Sequence, residues 1–161
     1  QGAPGWIPSI GPAAVLGAGG AARAVIASLI DVGVQELYLS NRTRPKAEAL
    51  KSSFGTKITV VDWVQAGNML KDAAIVVNTT SLGMSGKPEF RVPLDGLRPG
   101  KVVTYLVYNP LKTSLLKKAE ISGGIVVDGL GMLLHQAVPG FERWFGVRPD
   151  VDGNTRSAVL V

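Results

Sequence analysis

The chain has 161 residues, 46% hydrophobic and 18% charged, with no cysteine, one histidine (His135) and a net charge of +5. That length fits one compact domain that buries its own core without a disulfide or metal staple. The missing thiols exclude a disulfide framework, a thiolate metal or iron–sulfur site and a cysteine nucleophile; a lone histidine excludes a histidine cage, so no metal site is expected.

Residues 1–12 read as a Gly/Pro-rich lead, followed by a short apolar strand at Ala13–Leu16 that ends on Gly17. Apolar residues then recur at helical spacing over Ala21–Val32, with Gly33 as the stop signal. Glu36–Ser40 is the next strand. Thr43 is a cap candidate for a helix with Pro45 in its first turn, running through Ala47, Leu50 and Lys51. Ile58–Val61 is a strand, and Asp62 a cap candidate for a short helix that takes in Trp63 and Leu70. Ala73–Asn78 is a continuous apolar run, the pattern of a strand buried on both faces.

A loop rich in Gly and Pro follows from Ser81 to Gly100. Val102–Val107 is strand-like, Thr113 caps a helix through Ala119, and Ile125–Val127 is a further strand. Met132–Phe145 reads as a closing helix that Pro139 should kink or divide. The tail from Gly146 is polar and expected to be loose. Twenty glycines and ten prolines punctuate these elements without a fixed period, which excludes collagen-like and solenoid folds. Strand–helix alternation of this kind predicts an α/β fold built on a parallel sheet.

The chemistry concentrates in the first strand–helix turn, Gly17-Ala18-Gly19-Gly20-Ala21-Ala22, which has the form G-x-G-x-x-A. Gly17 permits a tight turn, Gly19 lets a pyrophosphate approach the backbone, and small Ala22 lets helix and strand pack closely. Phosphates would sit on free N–H groups at the positive end of the helix. A tight turn that binds nothing is the competing reading. Which dinucleotide fits is decided at the end of the second strand. An NAD site places a carboxylate there for the ribose 2′-hydroxyl. Here stand Ser40-Asn41-Arg42-Thr43, then Arg44 and Lys46. Arg42 suits a 2′-phosphate or the adenine face, Asn41 and Thr43 offer hydrogen bonds, and Lys46 adds charge one helical turn on. A solvated basic helix start is the alternative; the expected cofactor is NADP.

Five ordered blocks resemble the shikimate dehydrogenase family: Gly17–Ala24, Asn41-Arg42-Thr43, Asn78-Thr79-Thr80-Ser81-Leu82-Gly83-Met84, Val107–Thr113, and Asp128-Gly129-Leu130-Gly131-Met132-Leu133-Leu134-His135-Gln136-Ala137. The first two also suit other NADP domains, glutamyl-tRNA reductase among them; the third and fifth are specific. The resemblance implies a Rossmann-like, doubly wound, mostly parallel sheet with helices on both faces. It implies NADP-linked, reversible reduction of 3-dehydroshikimate to shikimate in aromatic amino-acid biosynthesis. Gly17, Ala18, Gly19, Gly20 and Ala21 would cradle the pyrophosphate, while Asn41, Arg42, Thr43 and Lys46 would hold the adenosine phosphate. Thr79, Thr80 and Ser81 would line the cleft, and Leu106 and Gly129 would contact the nicotinamide. Tyr108 and Gln136 resemble the groups that reach substrate hydroxyls, where phenol and amide hydrogen-bond a polyol without changing its protonation. On the residues alone, Tyr108 reads as a packed strand-end aromatic and Gln136 as a polar residue on a surface helix.

The chain departs from the family at two places. Tyr105 stands where the family usually carries Asp, close to the expected nicotinamide. The family's substrate domain, with its catalytic Lys and Asp, precedes the cofactor domain, but no lysine precedes Lys46 here. The expectation is therefore a lead (1–12), an NADP-binding domain (13–129) and a C-terminal helical segment and tail (130–161), with the catalytic pair outside this chain and no catalytic residue within it. Shikimate or 3-dehydroshikimate would bind together with that other domain. The competing functions are a quinate/shikimate dehydrogenase and a non-catalytic NADP-binding module. Leu133, Leu134, Val138, Phe141 and Trp144 form an apolar set on the closing helix, from which self-association or a homodimer is expected. Scattered basic residues and few aromatics argue against nucleic acid. No apolar run is long enough for a membrane span and the start lacks a signal pattern, so a cytoplasmic location is expected.

Overall fold

The computed structural model describes residues 2–160; Gln1 and Val161, the outermost residues of the expected lead and tail, lie outside the described residues. The strands are β1 (Ala13–Leu16), β2 (Leu37–Ser40), β3 (Ile58–Val61), β4 (Ile75–Asn78), β5 (Val102–Tyr105) and β6 (Ile125–Val127). The helices are α1 (Gly20–Asp31), α2 (Arg44–Phe54), α3 (Ala66–Asp72), α4 (Ser114–Ile121), α5 (Leu130–Phe145) and α6 (Gly153–Ala158). The strands pair in the order β3-β2-β1-β4-β5-β6, every ladder parallel. This is the doubly wound order of Rossmann-like folds, whose strand order reverses between β1 and β4.

The period-2 alternation of the central strands divides the core into two layers. Ala14, Leu16, Val76, Val103 and Tyr105 point to one face, where Met69 and Leu70 of α3 and Leu115, Leu116 and Ala119 of α4 cover them. Ala13, Val15, Leu37, Leu39, Ile75, Val77 and Val102 point to the other, beneath Ile26 and Leu29 of α1 and Ala47 and Leu50 of α2. All four residues of β1 are fully buried, as its central place demands, and β6 at the edge is partly exposed.

Several local expectations need correction. Thr43, Asp62 and Thr113 do occupy N-cap positions, but none of their side chains makes a capping bond. The Thr113 hydroxyl is buried without a partner among the described residues. Asp62 instead pairs with Arg44, which also bridges to Glu48 at 2.9 Å. Asp62 opens a 3-10 turn, Trp63–Gln65, ahead of α3. Strands β2, β4 and β5 are each shorter at one end than expected, although Glu36 O, Ala74 N and Leu106 N still bond to the neighbouring segment. Pro139 does not divide the closing helix, which runs through it as one 16-residue element. The loss of one backbone donor does not end a helix whose flanking turns are intact.

The tail is not loose. Asp152 caps α6 by accepting the Thr155 N–H at 2.8 Å and its hydroxyl at 2.9 Å, and these bonds hold the Asp152 carboxyl below its ordinary pKa. The lead also packs, with Ala3 and Trp6 against the second core layer. Among the described residues no helix is long and apolar enough to cross a membrane.

Candidate functional site

The carboxyl ends of β1, β2 and β4 meet at the reversal point of the sheet, where open α/β folds bind ligands. The turn after β1 is built from both sides. Gly17 donates its N–H to Ser40 O at 2.8 Å, and Ala18 donates to Asn41 Oδ1 at 3.2 Å. Asn41 Nδ2 in turn donates to Thr43 O at 2.9 Å. Both ends of the Asn41 amide are therefore engaged with the backbone; it organises the turn and keeps its second N–H for a ligand. Gly17 has φ +107°, and a Cβ there would run into Thr79 Oγ1, which itself donates to Leu16 O at 2.8 Å.

Gly19 and Gly20 differ from Gly17: a Cβ on either would meet nothing within 4 Å. Gly19 is the N-cap of α1, so the cap has no side chain to satisfy the first-turn N–H groups, and no acidic residue stands in that turn. An anion that approaches there meets open space, backbone donors and the positive end of a 12-residue helix. With Gly17 and Ala18 already bonded, the donors left for it are those of Gly19 to Ala22. Two buried polar atoms, Ser40 Oγ and Asn78 Nδ2, lack partners among the described residues; their residues flank Leu16 in register on either side. The arrangement fits a dinucleotide's phosphates.

A cleft of about 280 Å³ opens from this turn. Gly17, Ala18, Gly19, Asn41, Arg42, Thr43, Lys46 and the Thr79–Leu82 loop line it together with Trp63. The side chains of Arg42 and Lys46 make no ion pair or hydrogen bond among the described residues, whereas Arg44 between them is held by Asp62 and Glu48. Two uncompensated cations thus face the cleft where a carboxylate would stand in an NAD site.

A second, more apolar cleft of about 670 Å³ lies on the other side of Thr79, Thr80 and Ser81, which line both. Ala21, Thr104, Leu106, Val107, Met132 and Gln136 help to wall it. Gly129 sits behind this wall: a Cβ there would lie 2.5 Å from Val107 O and 2.6 Å from the Leu106 carbonyl. The loop between the clefts is braced. Asn78 Oδ1 accepts the Thr80 N–H at 3.0 Å and its hydroxyl at 2.8 Å, and Thr80 Oγ1 accepts the Leu82 N–H at 3.1 Å.

Of the residues singled out from sequence, the structure gathers Gly17, Ala18, Gly19, Asn41, Arg42, Thr43, Lys46 and Thr79–Ser81 at the first cleft, and Ala21, Leu106 and Gln136 at the second. Gly20 stands at the start of α1. Tyr108 is 49% exposed and lines neither cleft. Tyr105 requires a correction: it is fully buried on the opposite face of the sheet from Leu106, and its hydroxyl donates to Leu82 O at 2.9 Å. Burial pushes its phenol up to about 12. The sequence reading missed Trp63, an aromatic just past the end of β3 and hence beside the end of β2, and Met132 and Thr104 in the second cleft.

Residues 11–84 match the family model for shikimate/quinate 5-dehydrogenase, and residues 129–153 the model for the shikimate 5′-dehydrogenase C-terminal domain. A shikimate dehydrogenase (NADP(+)) of Cereibacter sphaeroides strain KD131 is 70% identical over 160 residues, which is 99% of this chain and 57% of that protein. Among solved structures, quinate dehydrogenase from Corynebacterium glutamicum in complex with NAD superposes with a TM-score of 0.84 at 32% identity, over 94% of this chain and 55% of that one. Shikimate 5-dehydrogenase from Thermus thermophilus in complex with NADP(H) and shikimate gives 0.76 at 36% identity, over 89% and 52%. The chain thus spans little more than half the length of the relatives it matches. Over that span it belongs to the shikimate dehydrogenase family.

Proposed function

We propose that these 161 residues form the NADP-binding part of a shikimate dehydrogenase, which interconverts 3-dehydroshikimate and shikimate. The observation that carries the cofactor assignment is the pair of unpaired cations, Arg42 and Lys46, beside the glycine turn. They take the adenosine 2′-phosphate, while the N–H groups of Gly19 to Ala22 take the pyrophosphate. Trp63 flanks the adenine. Leu106, Met132 and the Gly129 backbone shape the apolar side, which excludes water from the nicotinamide. Gln136 and, from outside the cleft lining, Tyr108 face the substrate. Bound there, the dinucleotide supplies or accepts a hydride.

Among the described residues that line the second cleft none is titratable. This chain therefore binds and orients, and the proton passes through a group outside these residues, in the part of the relatives' length that the chain does not span. The quinate dehydrogenase is named in complex with NAD; the two cations favour NADP here. A cytoplasmic location belongs to the same reading. So does association of the isolated chain through Phe141, Trp144 and Phe145, which are 42%, 79% and 65% exposed on α5. Val138 of the same helix is buried and takes no part.

Calorimetric titration tests the proposal. NADP is expected to bind more tightly than NAD, and Arg42→Ala to remove roughly tenfold or more of that preference. Equal affinity for the two dinucleotides in the unaltered chain would refute the assignment. Oxidation of shikimate by the chain alone would refute the placement of proton transfer.

A further inference from the structure

Asp128, just past β6, ties two distant parts of the chain together. Its Oδ1 accepts the Leu130 N–H at 3.1 Å, at the start of α5. Both of its oxygens also take the Arg156 guanidinium from α6, at 3.1 and 2.5 Å. The two side chains are 20% and 36% exposed, so this fork is more sheltered than any other ion pair among the described residues.

What the fork holds borders the second cleft. Gly129 follows Asp128 directly and lies against the Leu106–Val107 peptide with no space for a Cβ. Met132 walls two spaces at once: the second cleft and a cavity of about 760 Å³ between β6, α5 and α6 that Asp128 and Arg156 also line. Gln136, one turn further, returns to the cleft. Yet α5 buries only Leu130 and Val138 of its 16 residues, so little core packing fixes its angle, and the restraint comes from its first turn. The first cleft owes nothing to this region: its walls come from the β1–α1 turn, the ends of β2 and β3 and the 79–82 loop.

We infer that Arg156 is a positioning residue: through Asp128 it holds the first turns of α5 against the nicotinamide side of the cofactor cleft, and leaves the adenosine side untouched. The inference rests on the reading of the Leu106–Gln136 side as the nicotinamide wall. It gives the tail helix a function, since α6 is the element that presents the guanidinium.

Two probes separate the halves of the site. NADPH spans both clefts, whereas adenosine 2′,5′-bisphosphate occupies only the first. In the 161-residue chain, Arg156→Ala is expected to weaken NADPH binding about tenfold and to lower the fluorescence gain of the bound nicotinamide. Affinity for the bisphosphate should stay unchanged, which also reports that the variant is folded. Arg156→Lys, which keeps the charge and loses the fork, should fall between. Equal weakening of both probes would assign Arg156 a merely structural role, and no change in NADPH binding would remove its role altogether; either overturns the inference while the cofactor reading stands. An unaltered chain that binds neither probe would overturn both.

Discussion

Tyr105 offers the sharpest physical test, because its burial, hydrogen bond and ionisation all depend on one geometry. The ring is fully buried, and the hydroxyl's partner is Leu82 O, in the loop after β4. Tyr105→Phe removes the donor and leaves that carbonyl unsatisfied, which should cost about 1–3 kcal/mol at neutral pH. The phenol's pKa is raised to about 12, so its contribution is fully present below the unfolded value of about 10 and is lost as pH rises towards 12. Between those limits the unfolded phenol ionises and the folded one does not. The loss amounts to about 2–3 kcal/mol over the window. Chemical denaturation of both proteins at steps from about pH 8 to 11.5 should therefore show the wild type ahead at first and its lead closing above about pH 10. The comparison cancels lysines and the other tyrosines, which both proteins share. Parallel stability curves through the alkaline range would mean that the Tyr105 hydroxyl is solvated and that the loop is held by something else.

Two further outcomes follow from the glycines and from α5. Gly17→Ala forces a side chain into φ +107° and against Thr79 Oγ1, so melting should show a loss of about 2–4 kcal/mol. Gly19→Ala, at an extended backbone position with open space, should keep the melting temperature and lose NADP affinity by calorimetry; a Gly17→Ala chain that melts like wild type, or a Gly19→Ala chain that binds like it, would separate the turn from the function given to it. The exposed Phe141, Trp144, Phe145 and Val147 should make the isolated chain self-associate in sedimentation and bind a hydrophobic dye, and Trp144→Glu should reduce both; a clean monomer at high concentration without dye binding would count against that face as an association surface.

What could be read in advance follows from how local each signal is. Strand β1 and helix α1 were readable because an apolar run, a glycine turn and a 3.6-residue period follow one another without a gap, and burial on both faces leaves such a strand little else to become. The caps failed as a group: Thr43, Asp62 and Thr113 have the right residue types at the right places, but whether a hydroxyl or carboxylate turns back to its helix depends on competing partners elsewhere, such as Arg44 for Asp62. The tail failed for the same reason in reverse. Six residues of α6 carry too weak a pattern to stand alone, and what fixes them is an ion pair to a residue 28 positions away.

Tyr105 could have been placed correctly from the sequence. It alternates with Leu106, so if Leu106 faces the cleft the ring must point to the other side of the sheet. Its distance along the chain from Leu106 suggested proximity to the nicotinamide, and the pleat denies it. Asn41 depends instead on its local hydrogen bonds. Its place at the end of β2 beside the glycine turn is right for a dinucleotide site, yet an amide at that corner has two backbone groups within reach before any ligand arrives. Arg42 and Lys46, with long side chains and no acid beside them, are the residues left to meet a phosphate. Sequence thus locates the corner, and the local competition for hydrogen bonds decides which of its side chains remain available to a ligand.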